Sequence, residues 1–338
     1  MLKTLTYFFL WTLLNIADLH AIAKSEQQFN LGVDFNHYHA TLEPDFDLHS
    51  ISGEVEVHFT AKTENISMLS FSVKNIKILD VTSDFELVSY HIENERLIAI
   101  FRNVLVPNRK HTLNIMYEST PKRGVKFYKD HLFTVYHTNR WLVSHWNISD
   151  KASFTLDLIH PKDFVSVGNG KLISQRILSK NRIVSRWHES IPIPIYTFGF
   201  VTGKFDKIKF QDGEFTFNYL SRSQEISGFD KKDIKNIFVD VHDINTFLEG
   251  KAGFALPNKE YSFIFVDGQI AQEASGFSLV GEQYGHSLLN DPNENWFIIH
   301  ELAHEWWGSS ITCASFSHFW LNEGLVQFIV ATYRIQRA

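Results

Sequence analysis

The chain has 338 residues, of which 44% are hydrophobic and 14% aromatic, so it is long enough for two domains with sizeable cores. Its 38 acidic residues outnumber the 32 lysines and arginines, and the net charge of −6 argues against a nucleic-acid-binding protein. Cys313 is the only cysteine, which excludes an internal disulfide bond and a cysteine-based zinc site.

The first residues, MLKTLTYFFLWTLLNIADLHAIAKS, have the layout of a secretory signal peptide. Lys3 precedes an apolar run over residues 5–16, and Ala21-Ile22-Ala23 matches the small-residue cleavage pattern. We therefore predict a signal peptide over residues 1–23 and an exported protein, periplasmic or extracellular. An uncleaved membrane anchor is the alternative, but the run is short and contains Thr and Asn.

Residues 24–205 are predicted to form an all-β domain. GEVEVHFTAKT (53–63), SFTLDLIHP (153–161) and, further on, EFTFNYL (214–220) alternate with period two or are rich in β-branched and aromatic residues. VGNGKL (167–172) contains the Asn-Gly pair that is typical of a hairpin turn. Repeated strands without intervening helices predict a β-sandwich or a saddle-like sheet.

A mixed α/β unit is predicted over residues 206–338. KKDIKNIFVDVHDINTFLEGKAG (231–253) spaces its apolar residues at helical intervals, which predicts one helix that ends at Gly250. YSFIFVDG (261–268) is predicted to be a strand, and another helix to begin near residue 292.

The segment HELAHEWWG (300–308) lies on that last helix. Asp291 is a suitable N-cap, Pro292 fits the first helical position, and Glu294 supplies the capping-box acid. Gly308 is expected to end the helix in a left-handed conformation.

Two histidines in this segment have the spacing of metal ligands. His300 and His304 lie one turn apart on the same helical face, so their imidazoles can bind one metal ion. Glu301 is rotated by about 100° from His300, which suits a general base better than a ligand.

A third protein ligand is expected, because a catalytic zinc ion usually has three. FWLNEGLVQF (319–328) offers Glu323 on a second predicted helix, while Asn322 and Glu305 are weaker alternatives. Ser315 or Ser317 is expected to cap this helix. Its predicted core-facing apolar stripe consists of Leu321, Leu325 and Phe328.

HELAHEWWG, followed by Glu323 in WLNEG, resembles the gluzincin zinc aminopeptidases, the alanyl aminopeptidase and leukotriene-hydrolase group. IPIPIYTFGFVTGKF (191–205) and ASFTLDLIHPKDFVSVGNGKL (152–172) are similar to segments of that family's N-terminal β domain. The resemblance covers about residues 30–338 and is strongest over 294–328. It implies a saddle-shaped β domain followed by a thermolysin-like zinc peptidase domain.

The resemblance also implies roles for individual residues. His300, His304 and Glu323 would hold one zinc ion per chain, and Glu301 would act as general base in removing N-terminal amino acids from peptides. The family binds the substrate amino group through a glutamate in a Gly-x-Met-Glu-Asn motif, where this chain has IAQEASGFSLVGEQ. Glu273 takes that position, although its neighbours are changed.

Glu282 is a less suitable candidate than Glu273 for the amine-binding glutamate. Two departures from the family pattern bear on activity. No carboxylate or amide lies near Val135, where the family has a second amine contact. The family's oxyanion-binding tyrosine lies well beyond the third zinc ligand, whereas Tyr333 is close to Glu323 on the same predicted helix. We therefore expect a C-terminally truncated, incomplete catalytic domain that is weakly active or inactive by itself.

Two other functions stay open at this point. A zinc endopeptidase would use the same metal ligands, and the altered amine-binding segment favours it. A catalytically impaired binding protein that keeps the fold is the second alternative.

Overall fold

A computed structural model describes residue 30 and residues 32–337 of the chain, so the predicted signal peptide lies outside the described residues. The first part of the described chain consists almost entirely of strands. These are β1 (Val33–Asp45), β2 (Ser50–Ala61), β3 (Met68–Ser72), β4 (Ile76–Ser83), β5 (Leu87–Glu93), β6 (Arg96–Phe101), β7 (Lys110–Ser119), β8 (Val125–Phe127), β9 (His131–Thr134), β10 (Ala152–Pro161), β11 (Val165–Gly168), β12 (Lys171–Ser179), β13 (Arg182–Ile193) and β14 (Phe200–Gly203).

These strands form three sheets. The largest has seven strands in the order β12-β13-β10-β1-β2-β7-β4, with β1 antiparallel to β2 and parallel to β10. Smaller sheets run β11-β14-β9-β8 and β3-β6-β5. Along β1 and β2 the buried and partly exposed residues largely alternate, which is the pattern of a sheet with one face on the core. The predicted β architecture of this part is confirmed.

The predicted hairpin at Asn169-Gly170 is wrong. β11 pairs with β14 and β12 pairs with β13, so the two residues connect different sheets. Gly170 is left-handed (φ 74°), and a Cβ there would lie 2.1 Å from the His188 carbonyl oxygen. Asn-Gly therefore marks a sharp turn, but the partners of the flanking strands are set by tertiary packing.

The second part of the described chain combines a mixed sheet with helices. The sheet order is β15-β16-β17-β19-β18, and the helices pack around it. The elements are β15 (Asp206–Asp212), β16 (Phe215–Ser221), α1 (Gln224–Ser227), α2 (Lys231–Ile237), α3 (Val241–Ala252), β17 (Glu260–Val266), β18 (Ala271–Ala274), β19 (Phe277–Gly281), α4 (Glu282–Asn290), α5 (Trp296–Ala303) and α6 (Trp320–Arg337). Among the described helices, none has both the length and the apolar character needed to cross a membrane.

The helix predicted over residues 231–253 is two helices, and Gly250 does not end it. The break follows α2 at Phe238, whose ring stacks on Tyr219 with 4.1 Å between the centroids. α3 ends instead at Gly253, which is left-handed and donates its N–H to the Glu249 carbonyl. The apolar spacing identified the buried faces but did not show the bend between them.

The boundaries predicted for the histidine-bearing helix are also wrong. Asp291 is the C-cap of α4, and its carboxylate accepts a hydrogen bond from the Asn293 N–H at 3.0 Å. α5 starts only at Trp296, and His304 is its C-cap. Gly308 is not left-handed; a Cβ there would lie 2.9 Å from the His304 carbonyl oxygen, so glycine permits a close approach.

The apolar stripe predicted to bury α6 faces solvent. Leu321, Leu325 and Phe328 are 46%, 41% and 65% exposed, and neither serine caps this helix, since Ser315 precedes a separate 3₁₀ turn. The buried side chains of α6 lie on another face: Asn322, Val326, Ile329, Val330 and Tyr333. The helix is amphipathic, but its apolar residues are divided between two faces.

Two hydrophobic clusters fill the interior. The larger lies between the β sheets and also includes residues from the second half of the chain, among them Ala274, Phe277, Phe316 and Phe319. The smaller cluster packs α2 to α6 against the mixed sheet. The division of the chain at residues 205 and 206 stays a prediction, because side chains from both sides share one core.

Candidate active site

Two helices bring the predicted metal ligands together. His300 lies on α5, His304 directly after it, and Glu323 in the first turn of α6. The two Nε2 atoms are 3.1 Å apart, and the Glu323 carboxylate lies 3.4 Å from His300 Nε2 and 3.9 Å from His304 Nε2. One ligand atom from each residue lies within 4.8 Å of the others. The three residues thus face a common point.

The outer nitrogens of both imidazoles have partners. His304 Nδ1 lies 3.2 Å from the Trp307 carbonyl oxygen, and His300 Nδ1 lies 3.1 Å from the Gln327 side-chain amide. His304 donates through Nδ1 to a carbonyl oxygen and so presents a lone pair at Nε2, as metal-binding histidines do. His300 Nδ1 instead accepts from the Gln327 amide nitrogen, which fixes the orientation of that ring. Two imidazoles and a carboxylate that converge on one point are the nitrogen and oxygen ligands that zinc takes. The residues therefore fit a divalent ion such as zinc.

Glu301 is held on the helix with its carboxylate buried. The Tyr261 hydroxyl donates to the Glu301 backbone carbonyl at 3.1 Å, whereas both carboxylate oxygens lack a hydrogen-bond partner among the residues described. Burial raises the pKa of Glu301, and the charges of Glu273 and Glu323 raise it further. A buried carboxylate without a partner is costly unless a ligand supplies one.

The Glu323 carboxylate has the opposite behaviour. Burial by itself would raise its pKa, but the hydrogen bond from His300 and the charges of both histidines outweigh burial and lower it. An anionic carboxylate beside two imidazoles is a suitable third zinc ligand. The alternatives are engaged elsewhere: the Asn322 amide donates to Tyr196, and Glu305 accepts from the Gly276 N–H at 2.8 Å.

Glu273 lies on β18 and is only 3% exposed. Its Oε2 accepts a hydrogen bond from the Tyr136 hydroxyl at 2.9 Å, and its Oε1 has no partner within the described part of the chain. Burial raises the pKa of Glu273; the His304 ring opposes this rise and Glu323 adds to it. Glu282, the other acid considered, is bound to Arg222 at 2.6–2.9 Å.

Three residues that contact the site were missed by sequence reasoning. Tyr136 contacts Glu273, and Gln327 contacts His300. Asn169 donates a hydrogen bond to the Ser275 carbonyl in the turn that follows Glu273. Gln327 lies four residues after Glu323, one helical turn away, so helical spacing gave a signal for it. Tyr136 and Asn169 are more than 100 residues before Glu273, and no local pattern indicates them.

The β sheets are followed by helices that carry His300, Glu301, His304 and Glu323 in the arrangement that the resemblance to the gluzincin aminopeptidases implies. Residues 278–336 match the model of the Peptidase family M1 domain. Glutamyl aminopeptidase of Sus scrofa is 25% identical over 189 residues, which cover 53% of this chain and 19% of that protein. Aminopeptidase M1-D of Oryza sativa subsp. japonica is 28% identical over 192 residues, 54% of this chain and 21% of that one.

Solved structures show the same fold. The M1 zinc metallopeptidase from Deinococcus radiodurans has a TM-score of 0.77 at 18% identity, covering 90% of this chain and 71% of that chain. A mutant of that peptidase bound to a Tyr-Ser-Ala substrate gives a TM-score of 0.78. The matched region spans about a fifth of the curated relatives. Together these matches confirm the resemblance to the gluzincin aminopeptidase family.

Proposed function

We propose that the chain carries a zinc-dependent aminopeptidase site that removes amino acids from the free N-terminus of peptides. The observation that carries this proposal is the convergence of His300, His304 and Glu323 beside two further buried carboxylates, Glu301 and Glu273, which have unpartnered oxygens among the described residues. Three carboxylates in one buried site need about three positive charges. One zinc ion and one protonated amine supply that number.

Each residue has a distinct task in the proposed reaction. Zinc held by His300, His304 and Glu323 would supply Lewis acidity, which polarises the scissile carbonyl and activates water. Glu301 accepts the proton of the attacking water at a carboxylate oxygen and passes it to the leaving amine. Glu273 binds the protonated N-terminus through Oε1 and so places the first peptide bond at the metal site.

Zinc content and amine dependence test this function. The purified chain is expected to hold one zinc ion and to cleave aminoacyl 4-nitroanilides only slowly, and not to cleave their N-acetylated forms. Equal cleavage of free and acetylated substrates would assign an endopeptidase instead. A protein that binds no stoichiometric zinc at micromolar concentration would contradict both readings and leave a binding protein that retains the fold.

The remaining expectations belong to the same proposal. We propose export through cleavage after residue 23, a β domain over residues 24–205 and a catalytic domain over 206–338. The partners are peptides with a free N-terminus rather than nucleic acids. Detection of the mature N-terminus at residue 24 in an exported fraction would support the predicted export and cleavage.

A further inference from the structure

Tyr136 reaches the site from an unusual backbone turn. It lies two residues after β9, and both Tyr136 and His137 are left-handed, with φ of 32° and 40°. Two consecutive non-glycine residues in this region are uncommon, and such strain persists at sites where the surrounding structure enforces it. Gly124 faces the turn, and a Cβ there would lie 2.8 Å from the His137 carbonyl oxygen. The turn and the glycine together direct Tyr136 toward Glu273.

The hydroxyl of Tyr136 donates its single hydrogen to the Glu273 carboxylate. Because it donates to Glu273 Oε2, the phenol oxygen keeps lone pairs that accept hydrogen bonds. Glu273 Oε1 is buried and has no partner among the residues that the structure describes. The ring is packed edge-on against Phe319, with 6.4 Å between the centroids. The phenol oxygen of Tyr136 and the carboxylate oxygen Oε1 of Glu273, which can both accept hydrogen bonds, thus lie side by side.

The electrostatic surroundings keep this phenol neutral. Burial raises the pKa of Tyr136, and the charges of Glu273, Glu323 and Glu301 raise it further. A neutral hydroxyl next to three carboxylates can accept from a cation without adding a further negative charge.

We propose that Tyr136 is a specificity-determining residue, whose phenol oxygen and Glu273 Oε1 together accept hydrogen bonds from a protonated primary amine. This inference rests on the proposed function, because it takes that amine to be the substrate N-terminus. An ammonium group presents three N–H donors, whereas an acylated amine presents one and carries no charge. The pair therefore selects free amino termini more strongly than Glu273 by itself.

The test compares two ligands that differ only in the amine. L-phenylalaninamide and 3-phenylpropanamide are titrated calorimetrically into zinc-loaded wild-type protein and into Tyr136→Phe, which keeps the ring. A hydrogen bond to a charged donor corresponds to a change of ~10- to 100-fold in affinity. We expect Tyr136→Phe to lose that factor for phenylalaninamide and to bind 3-phenylpropanamide as the wild type does.

Tyr128→Phe is the matched control, since the Tyr128 hydroxyl donates to the Asp267 carbonyl at 3.3 Å rather than to Glu273. It is expected to leave both affinities unchanged. A Tyr136→Phe variant that binds both ligands like the wild type, or weakens both equally, overturns the inference. So does a fall in kcat with unchanged affinity for phenylalaninamide, which would place the phenol at the carbonyl group.

One measurement needs no variant. N,N-dimethyl-phenylalaninamide keeps the charge but has a single N–H, so it can serve only one acceptor and is expected to bind wild-type protein ~10-fold more weakly. Equal affinity of the dimethyl compound overturns the two-acceptor arrangement. Failure of the proposed function has a different signature: wild-type protein that holds zinc but does not prefer phenylalaninamide over 3-phenylpropanamide lacks an amine site altogether, which also overturns the role of Tyr136.

Discussion

Asn169 connects the β sheets to the strand that carries Glu273, and its replacement by alanine has a calculable cost. Its amide nitrogen donates to the carbonyls of Thr197 and Ser275 at 2.9 and 2.8 Å, and its oxygen accepts from the Gly199 N–H at 2.8 Å. The side chain is 1% exposed, so water does not readily replace these bonds. Each buried group left without a partner costs ~1–3 kcal/mol.

For Asn169→Ala we expect the free energy of unfolding to fall by about 3–5 kcal/mol. The expected loss is smaller than the full cost of three unpartnered groups, because the Thr197 carbonyl keeps a second hydrogen bond, from the Ser275 N–H at 3.4 Å. Urea unfolding with linear extrapolation measures the change. Asn103→Ala, at an exposed asparagine, is the control and should stay within about 0.5 kcal/mol of wild type.

The same variant should affect amine binding more than zinc binding. Ser275 lies two residues after Glu273, so loss of the hydrogen bond from Asn169 to Ser275 allows the Glu273 carboxylate to move. The proposed zinc ligands lie on other elements. We expect KM for free aminoacyl substrates to rise with zinc stoichiometry unchanged. A destabilisation below 1 kcal/mol, or a loss of zinc without a change in KM, would refute this reasoning.

Three further predictions concern single groups. Glu301→Gln keeps the shape of the side chain but cannot accept a proton, so the hydrolysis rate should fall by ~10²–10⁴ with zinc still bound; full activity would remove Glu301 from the mechanism. Glu323→Ala leaves two ligands, so metal analysis after dialysis should show loss of zinc, and a stoichiometric ion in this variant would contradict the assignment. Burial raises the pKa of Asp150 to about 7, although the Phe35 N–H bond opposes the rise. The folded protein therefore holds a proton that the unfolded chain releases near pH 4, and the free energy of unfolding should fall by about 3–4 kcal/mol as the pH rises from about 4 to 7. Asp150→Asn should remove this dependence, and parallel urea midpoints of variant and wild type across that range would speak against it.

Local patterns were sufficient for several of the strands and for the convergence of His300, His304 and Glu323. Alternating hydrophobicity, or a high content of β-branched and aromatic residues, predicted β2, β10 and β16 closely. The residues of β2 largely alternate between buried and more exposed positions, whereas β10 and β16 are buried on both faces over most of their length. The pairing of His300 with His304 follows from helical geometry, which is independent of the rest of the chain. The position of Glu323 needed only a second helix packed against the first.

The contacts that complete the site were not predictable in this way. Tyr136 and Asn169 meet the Glu273 strand through tertiary packing, and a sequence carries no local signal for such meetings. The predicted helix boundaries were wrong for a related reason. Asp291 is a residue type that favours the N-cap position, but it is the C-cap of the preceding helix, α4. On α6 both faces carry apolar residues, so periodicity did not show which face the core covers.

The two halves of the chain supply different parts of the proposed chemistry. The metal ligands and their Nδ1 partners, Trp307 and Gln327, lie on α5, on α6 and in the loop after α5. Glu273, the proposed amine-binding carboxylate, is positioned instead by Tyr136 and Asn169, which come from the part of the chain that forms the β sheets. Substitutions in the β sheets should therefore change discrimination between free and blocked N-termini while zinc affinity stays constant. The specificity of the site, more than its reactivity, depends on how the β sheets pack against the helices.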